Sequence, residues 1–575
     1  MDERTLKLAN FWMSDAFDED TRNEVKSLLE NDPKGLEDAF YKDLEFGTGG
    51  LRGVMGAGTN RMNVYVVSMA TQGLANYINR TIDDESKSVA IAHDSRINSH
   101  VFAKKAAEVL SANGIKAYLF SELRPTPELS FAVRYHGCSA GIVITASHNP
   151  KEYNGYKVYW NDGGQIVSPH DKGIIEEVRK VKGPKEVASE VDAELIEVMS
   201  TETDEAYRKE LLKEFINKGA IERQSDLSLV YTPIHGTGIT QIPQLLQEAG
   251  FKNLHIVDQQ AKPDGNFPTV HSPNPEEKAA LDLGLQLAEE VDGKILMGTD
   301  PDADRVGIAV RDLQGELVLL NGNETASLLT YYLLSQHQEK GTLPKNGFVC
   351  RTIVTTELID SIAEAYQINC YTTLTGFKYI AEKIRELEGK EKFVGGGEES
   401  YGYMVGDTVR DKDAVITGAM LCEVAAWAED KGSSFYKELV QMYVRFGLYR
   451  EALVSLVKKG KDGAEQIAKI MDEFRTNTPK SLAGSDVVEM RDYKSGKIIN
   501  FRSKTENSTG LPESNVVQFY LADGSKITAR PSGTEPKIKF YFSLNTKIKS
   551  EDEFASAKER LELRIEELKK AFVTD

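Results

Sequence analysis

The sequence is short of cysteine: Cys138, Cys350, Cys370 and Cys422 are the only four in 575 residues, and no C-x-x-C pair occurs among them. That argues against a disulfide framework and against a structural zinc site. Long apolar runs are missing too, and nothing approaches the ~18 residues of a membrane-spanning helix. The opening MDERTLKLANFWM mixes charges into its apolar residues, unlike a secretion signal. The expected home is the cytoplasm, with no membrane partner. Positive charge is in deficit, with 70 Lys and Arg against 89 Asp and Glu, a net −19. An acidic surface repels nucleic-acid backbones, so DNA and RNA are not expected partners. It also repels anionic metabolites at long range. A phosphate-bearing substrate therefore has to be caught by local cations, helix N-termini or a metal. The P-loop pattern G-x-x-x-x-G-K-[ST] occurs nowhere, and GTGGLRG carries Arg52 where a dinucleotide fingerprint needs its third glycine. Low-complexity segments and tandem repeats are also lacking. Nothing in the sequence sets an oligomeric state.

What is there is an ordinary globular composition, 40% hydrophobic and 28% charged, in a chain long enough for about four domains at ~150 residues each. The first forty or so residues read as helical and charged, an entry segment without chemistry. SVAIAHDSR then reads as a buried strand leading into a helix from about Ser99, with Phe102, Ala106 and Leu110 on one face. AGIVIT (140–145) is a short apolar run that ends abruptly in SHNP. Similar β-α-β patterns follow through LSLVYTPIHGTG and NLHIVD, through GKILMGTD, and through GFVCRTIVTT, INCYTTLTG and EKFVGGGEES. Short strands alternating with helices indicate mixed or parallel sheets covered on both faces. The C-terminal part is strand-rich, with an Asp-Gly turn in VVQFYLADGSKITARP. A helix follows, with an expected capping box at Ser550 and Glu553 and a stripe of Phe554, Ala557, Leu561, Ile565, Leu568 and Phe572. This predicts an α/β protein with four domains, over 1–205, 206–318, 319–440 and 441–575.

Four loops carry the chemistry-bearing residues. In TASHNPKEYNGYK (145–157), Ser147 sits at a strand's tip, where Pro150 forbids a simple continuation. Asn154-Gly155 is expected to turn the chain so that Lys157 returns to the same place. In an extended segment Ser147 and His148 point to opposite sides, so His148 and Lys157 both remain candidates for moving protons. In GTDPDADR (298–305), Asp300, Asp302 and Asp304 alternate, and an extended loop would aim all three carboxylates one way. Three hard oxygen ligands without Cys or His suit Mg²⁺. A calcium EF-hand loop fails, because Arg305 and Arg311 fill its sixth and twelfth positions. In GGGEESYGY (395–403), glycines allow close backbone approach, while Glu398 and Ser400 suit sugar hydroxyls. In RPSGTEPK (530–537), Arg530, Ser532, Thr534 and the backbone around Gly533 make an anion nest.

These loops, in this order and over roughly residues 40–545, resemble the α-D-phosphohexomutase superfamily. The details of TASHNPKEYNGYK, GTDPDADR, TGFKYI and GEESYG are most similar to the branch holding Gram-positive bacterial phosphoglucomutases and the second-type phosphoglucomutase or phosphopentomutase. The resemblance implies four domains around a central cleft, three of similar mixed α/β topology and a C-terminal α+β (TBP-like) domain that swings over the substrate. It implies that Ser147 is a phosphoserine whose phosphate oxygen joins Asp300, Asp302 and Asp304 on one Mg²⁺. It implies further that Arg305 supports the phosphoserine region, and that Arg52 and Lys157 are active-site cations, with Lys157 a general base. Gly376 and Lys378 fall in the loop that reads sugar orientation, Glu398 and Ser400 read sugar hydroxyls, and Arg530, Ser532, Gly533 and Thr534 hold the non-reacting phosphate. The family's histidine shortly after G-E-x-S is replaced here by Tyr401-Gly402-Tyr403, which leaves the second acid–base residue unassigned. Charge points the same way: three aspartates and a phosphoserine dianion sum to about −5, one Mg²⁺ returns +2, and nearby cations must supply the remainder. The expected reaction interconverts glucose 1-phosphate and glucose 6-phosphate through glucose 1,6-bisphosphate. Pentose and mannose phosphates, a sugar-bisphosphate synthase, a metal-dependent phosphatase and a non-catalytic binder are the alternatives.

Overall fold

The computed structural model describes residues 3–46, 49–83, 86–458, 460–532 and 537–572. The chain divides into two compact units. The first comprises residues 1–321, 377–395 and 400–432, and the second comprises 322–376, 396–399 and 433–575.

The first unit opens with helices α1 (Glu3–Trp12), α2 (Glu19–Asn31) and α3 (Pro33–Phe40). Asp32 caps α3 by accepting from the Gly35 N–H, and Pro33 takes the first-turn position where no N–H is needed. Trp12, Phe17, Val25, Leu36 and Phe40 form a small core of their own. Six strands follow: β1 (Gly50–Val54), β2 (Ser88–His93), β3 (Lys116–Phe120), β4 (Ala140–Ile144), β5 (Tyr153–Trp160) and β6 (Ile196–Met199). They form one sheet in the order β1-β5-β4-β2-β3-β6. Every residue of β2 and of β4 is buried, as expected for parallel central strands covered on both faces. The covering helices are α4 (Val64–Thr81), α5 (Ser99–Ala112) and α6 (Thr126–Tyr135).

A second sheet repeats the plan with β7 (Leu229–Thr232), β8 (Leu254–Ile256), β9 (Ile295–Thr299), β10 (Val306–Arg311) and β11 (Leu317–Leu320), in the order β11-β10-β9-β7-β8. In both sheets the leading strand lies between two parallel partners, β3 and β4 around β2, and β8 and β9 around β7. In both, an antiparallel hairpin then leaves the last of these, β4 to β5 and β9 to β10. Ser147 lies in the first hairpin loop and Asp300–Asp304 in the second.

In the second unit β12 (Gly347–Thr352) pairs in parallel with β13 (Asn369–Thr373). Further along the chain, β14 (Lys392–Gly397), of which residues 392–395 belong to the first unit, precedes the Glu398–Ser400 segment, and β15 (Tyr403–Val405), also of the first unit, follows it. The C-terminal part is an antiparallel sheet, with Leu448–Val457, Lys537–Thr546, Lys526–Pro531 and Val517–Leu521 adjacent in that order. Helix Phe554–Phe572 buries the expected stripe of Phe554, Ala557, Leu561, Ile565, Leu568 and Phe572. The capping box does not form. Residues Glu551–Glu553 make a tight 3₁₀ turn before the α-helix, so the Ser550 side chain makes no capping bond, and the Glu553 carboxylate instead accepts from the Lys549 N–H at 2.9 Å. Among the described residues no helix is long and apolar enough to cross a membrane.

Candidate active site

Strand β4 ends at Ile144, and the chain reverses through residues 145–152 before β5. Asn154 and Gly155 are not the turn. They lie inside β5, opposite Gly53 and Arg52 of β1. The Asn154 amide donates to Ile97 O and Ser99 Oγ, both at 3.0 Å. A Cβ on Gly155 would meet the Thr145 carbonyl at 2.4 Å, so glycine is needed there for close packing rather than for bending. Nor is the serine segment extended. Ser147 has φ +52°, in the left-handed region, and this folds His148 back so that its Nδ1 lies 3.3 Å from Ser147 Oγ. Burial, followed by the charges of Arg305 and Arg52, holds the His148 imidazole well below its ordinary pKa, and so neutral.

The Ser147 hydroxyl donates to Asp300 Oδ2 at 2.7 Å. Asp300, Asp302 and Asp304 are 0–1% exposed, and each offers a carboxylate oxygen within 4.8 Å of the others. An extended loop does not achieve this. Residues 301–303 form a turn with Ala303 at φ +50°, and Asp300 Oδ1 accepts the N–H groups of Asp304 and Arg305 at 3.1 and 3.0 Å. Thr126, at the start of α6, fixes Asp302 twice, N–H to carbonyl and hydroxyl to Oδ2, each at 2.9 Å.

Lys157 Nζ reaches Asp302 Oδ2 at 2.7 Å and Asp304 Oδ2 at 3.3 Å. Lys412 Nζ lies 2.8 Å from Asp304 Oδ2. Arg305 pairs with Glu276 at 2.5 Å, with its Nε 3.9 Å from Asp304 Oδ1, and Arg52 donates to Asn149 Oδ1 at 3.4 Å. Burial pushes all three carboxyls up. In Asp300 it prevails, helped by the charges of Asp304 and Asp302. In Asp302 and Asp304 the two lysines more than offset it and hold both groups below the ordinary range. Those same carboxylates keep Lys157 protonated against its own desolvation. Oδ1 of Asp302 and Oδ1 of Asp304 are buried and have no hydrogen-bond partner among the described residues. Buried acceptors without donors are costly, and a cation is what this all-oxygen set would accept. The three aspartates could hold a metal ion.

In the second unit, Glu398 is buried and its Oε1 accepts the Gly376 N–H at 2.8 Å, with Gly376 at φ +121°. Burial, with the charge of Glu398 beside it, pushes Glu399 up to about 7, opposed by Arg530 and Lys539. Arg530 Nη1 lies 3.5 Å from the Tyr541 hydroxyl, and the Ser532 N–H donates to Lys537 O at 2.7 Å. Gly533 and Thr534 lie outside the described residues. Ser400 and Lys378 belong to the first unit. Lys378 is the second residue of helix Phe377–Leu387, with its ammonium 5.1 Å over the Tyr379 ring, and burial lowers its pKa.

Residues 43–184, 205–315 and 321–443 match α/β/α domains I, II and III of the phosphoglucomutase/phosphomannomutase family. The chain belongs to this family. The phosphoglucomutase of Staphylococcus haemolyticus is 39% identical over 509 residues, covering 88% of this chain and 92% of its own. That of Staphylococcus epidermidis is 37% identical over 543 residues, 94% and 97% of the two chains. The solved structure of parafusin (phosphoglucomutase) from Paramecium, in its open form, shares the fold at 19% identity with a TM-score of 0.67, covering 92% of this chain and 95% of that one. As a member of the α-D-phosphohexomutases the chain is an isomerase that works by phosphoryl transfer. It has three α/β/α domains and a further β-rich C-terminal one.

Lys412 and Thr126 escaped the sequence reading. Lys412 lies far along the chain from Asp304, and no periodicity links the two. Its one signal is the run Asp411-Lys412-Asp413 immediately before the apolar helix Ala414–Asp430, which Asp413 caps.

Proposed function

We propose that this chain is a phosphoglucomutase that interconverts α-D-glucose 1-phosphate and glucose 6-phosphate, with Ser147 as the carrier of the phosphoryl group. The observation that carries the reading is the Ser147 hydroxyl 2.7 Å from Asp300, inside a buried triad of carboxylates. In the forward half-reaction the P–O bond to Ser147 Oγ breaks and a bond to a sugar hydroxyl forms, giving glucose 1,6-bisphosphate. In the second half-reaction its other phosphate returns to Ser147. Asp300, Asp302 and Asp304 would hold Mg²⁺, and a phosphate oxygen on Ser147 would complete the set. When bound, the ion supplies neutralisation of the charge that develops on the transferring group. Lys157, Lys412, Arg305 and Arg52 balance the excess negative charge of the phosphorylated site. Lys157 is assigned to proton movement at the sugar oxygens. In the first half-reaction the attacking sugar hydroxyl loses a proton, and in the second the departing sugar oxygen regains one. Lys157, which the carboxylates hold protonated, therefore gives its own proton to the departing Ser147 oxygen as it accepts the sugar's, and the second half-reaction reverses both transfers. Gly376, Lys378, Glu398 and Ser400 are assigned to the sugar hydroxyls, and Arg530, Ser532, Gly533 and Thr534 to the phosphate that does not react.

The test is ³¹P NMR of the magnesium-loaded enzyme, primed with glucose 1,6-bisphosphate and given glucose 1-phosphate, ribose 1-phosphate and mannose 1-phosphate in turn. Fast conversion of the glucose ester without inorganic phosphate is expected. Release of inorganic phosphate alone would make the protein a phosphatase, and faster turnover of the ribose ester would make it a pentomutase. The distal anion site has its own test: Arg530→Ala should raise KM by on the order of tenfold to a hundredfold while lowering kcat far less, the mark of lost ground-state binding. An unchanged KM would remove Arg530 from that role.

A further inference from the structure

Arg96 follows β2 in the segment His93-Asp94-Ser95-Arg96, and its side chain is fully buried. Its only carboxylate partner among the described residues is Asp94, at 3.1 Å. The rest of its fork is spent on main chain. Nη1 donates to Pro150 O at 2.9 Å and Tyr153 O at 3.1 Å, while Nη2 donates to Asn149 O at 2.5 Å and to Ser147 O. Four carbonyls of one reversal, from 147 to 153, thus converge on a single guanidinium. The ring of Phe267, itself buried, lies under the guanidinium at 5.1 Å. Asp94 completes the arrangement from the other side: Oδ1 accepts from the Arg96 N–H and from Ser99 Oγ, and Oδ2 accepts from Thr145 Oγ1 at 2.7 Å. The Thr145 hydroxyl in turn accepts the Ser147 N–H at 2.8 Å. Both polar main-chain groups of Ser147 are therefore tied to one buried ion pair, the carbonyl directly and the N–H through Thr145.

Burying an arginine costs several kcal/mol of desolvation, and a pair with one aspartate seldom repays it. What justifies this one is the loop it holds. Ser147 sits at φ +52°, a conformation costing about 1–3 kcal/mol that persists only where the surroundings over-determine it. We infer that Arg96 is a positioning residue for phosphoryl transfer: with Asp94 and Phe267 it clamps the 147–153 reversal so that Ser147 Oγ stays aimed at the carboxylate triad. The inference rests on the reading of Ser147 as the phosphoryl carrier. A lysine cannot replace this residue, since an ammonium is a point charge without the planar fork that reaches four oxygens. Arg96 spends its donors on the loop and on Asp94 and is assigned no contact with the sugar, so substrate affinity should be spared while the geometry of transfer suffers.

The experiment uses the full chain with Mg²⁺, comparing wild type, Arg96→Lys and Phe267→Leu. Arg96→Lys should stay folded by circular dichroism and lose on the order of 10²-fold in kcat, the effect of misplacing a reacting atom by about 1 Å, with KM within about twofold. Phosphoenzyme of this variant, prepared with glucose 1,6-bisphosphate, should lose a larger share of its phosphoryl groups to water than wild type does. Phe267→Leu keeps every hydrogen bond and removes only the ring, so its kcat should fall about fivefold at unchanged KM. A folded Arg96→Lys enzyme with wild-type kcat and wild-type phosphate leakage overturns the positioning role. If that variant fails to fold, Phe267→Leu decides, and wild-type kcat there overturns it equally. Should wild type itself take up no phosphate on Ser147, the carrier reading fails, a result distinct from either of these.

Discussion

Ser147→Ala should yield a folded protein with no measurable mutase turnover, a loss on the order of 10⁶-fold if Ser147 is the nucleophile. Folding should survive because little is asked of the hydroxyl structurally. It contributes one donated bond, to Asp300, and the main-chain N–H and carbonyl of residue 147 keep their partners whatever the side chain. Losing that bond costs about 1 kcal/mol. The serine is small and 3% exposed, so alanine leaves no large cavity and bears the same backbone strain. Two measurements decide the matter together. Intact mass after incubation with glucose 1,6-bisphosphate should show one added phosphate on wild type and none on the variant, and coupled assay should show the loss of turnover. A variant that still turns over at a tenth of the wild-type rate would end the carrier reading.

The second large effect concerns the carboxylate triad. Asp302→Asn should reduce kcat/KM by on the order of 10³-fold, the several kcal/mol that a Lewis acid contributes at a transferring phosphoryl group. EDTA should silence wild type to a similar degree, and added Mg²⁺ should restore it. Stability supplies a readout independent of turnover. In EDTA the variant should be nearly as stable as wild type, because an asparagine carbonyl still accepts from Thr126 and Lys157, and one of three crowded charges has gone. With Mg²⁺ at a hundred times its dissociation constant, wild type should gain about 2.7 kcal/mol and the variant almost nothing. Equal stabilisation of both proteins would mean that the ion binds elsewhere.

Much of this arrangement was legible in the chain because the informative residues are adjacent. Asp300, Asp302 and Asp304 fall between two apolar runs, and Ser147 stands where the run 140–145 stops, so their presence on strand ends could be read directly. The geometry that brings them together was less legible. Extended backbone was the natural assumption for both loops, yet Ser147 and Ala303 adopt left-handed dihedrals imposed by long-range partners that no local pattern announces. Asn154-Gly155 has the composition of a turn, but a neighbouring carbonyl at Gly155 makes it a packing position inside a strand. Lys412 and Arg96 were invisible for a related reason. Each acts across the sequence on a loop far from its own, and a lone basic residue in such a segment is statistically ordinary. The Ser550 cap failed on a finer point, because the choice between a 3₁₀ and an α first turn depends on packing rather than on the pair of residues that usually signals it.

The hairpin that leaves β4 and the hairpin that leaves β9 are the same station in two copies of one plan, and the first carries Ser147 while the second carries the three aspartates. A scaffold built this way separates its duties. Each loop can be rewritten against a fixed sheet, so a lineage that alters Ser147 in the first loop, or the aspartates in the second, still inherits an intact frame. Folded, inactive descendants of such a protein should be recognisable by damage confined to one station.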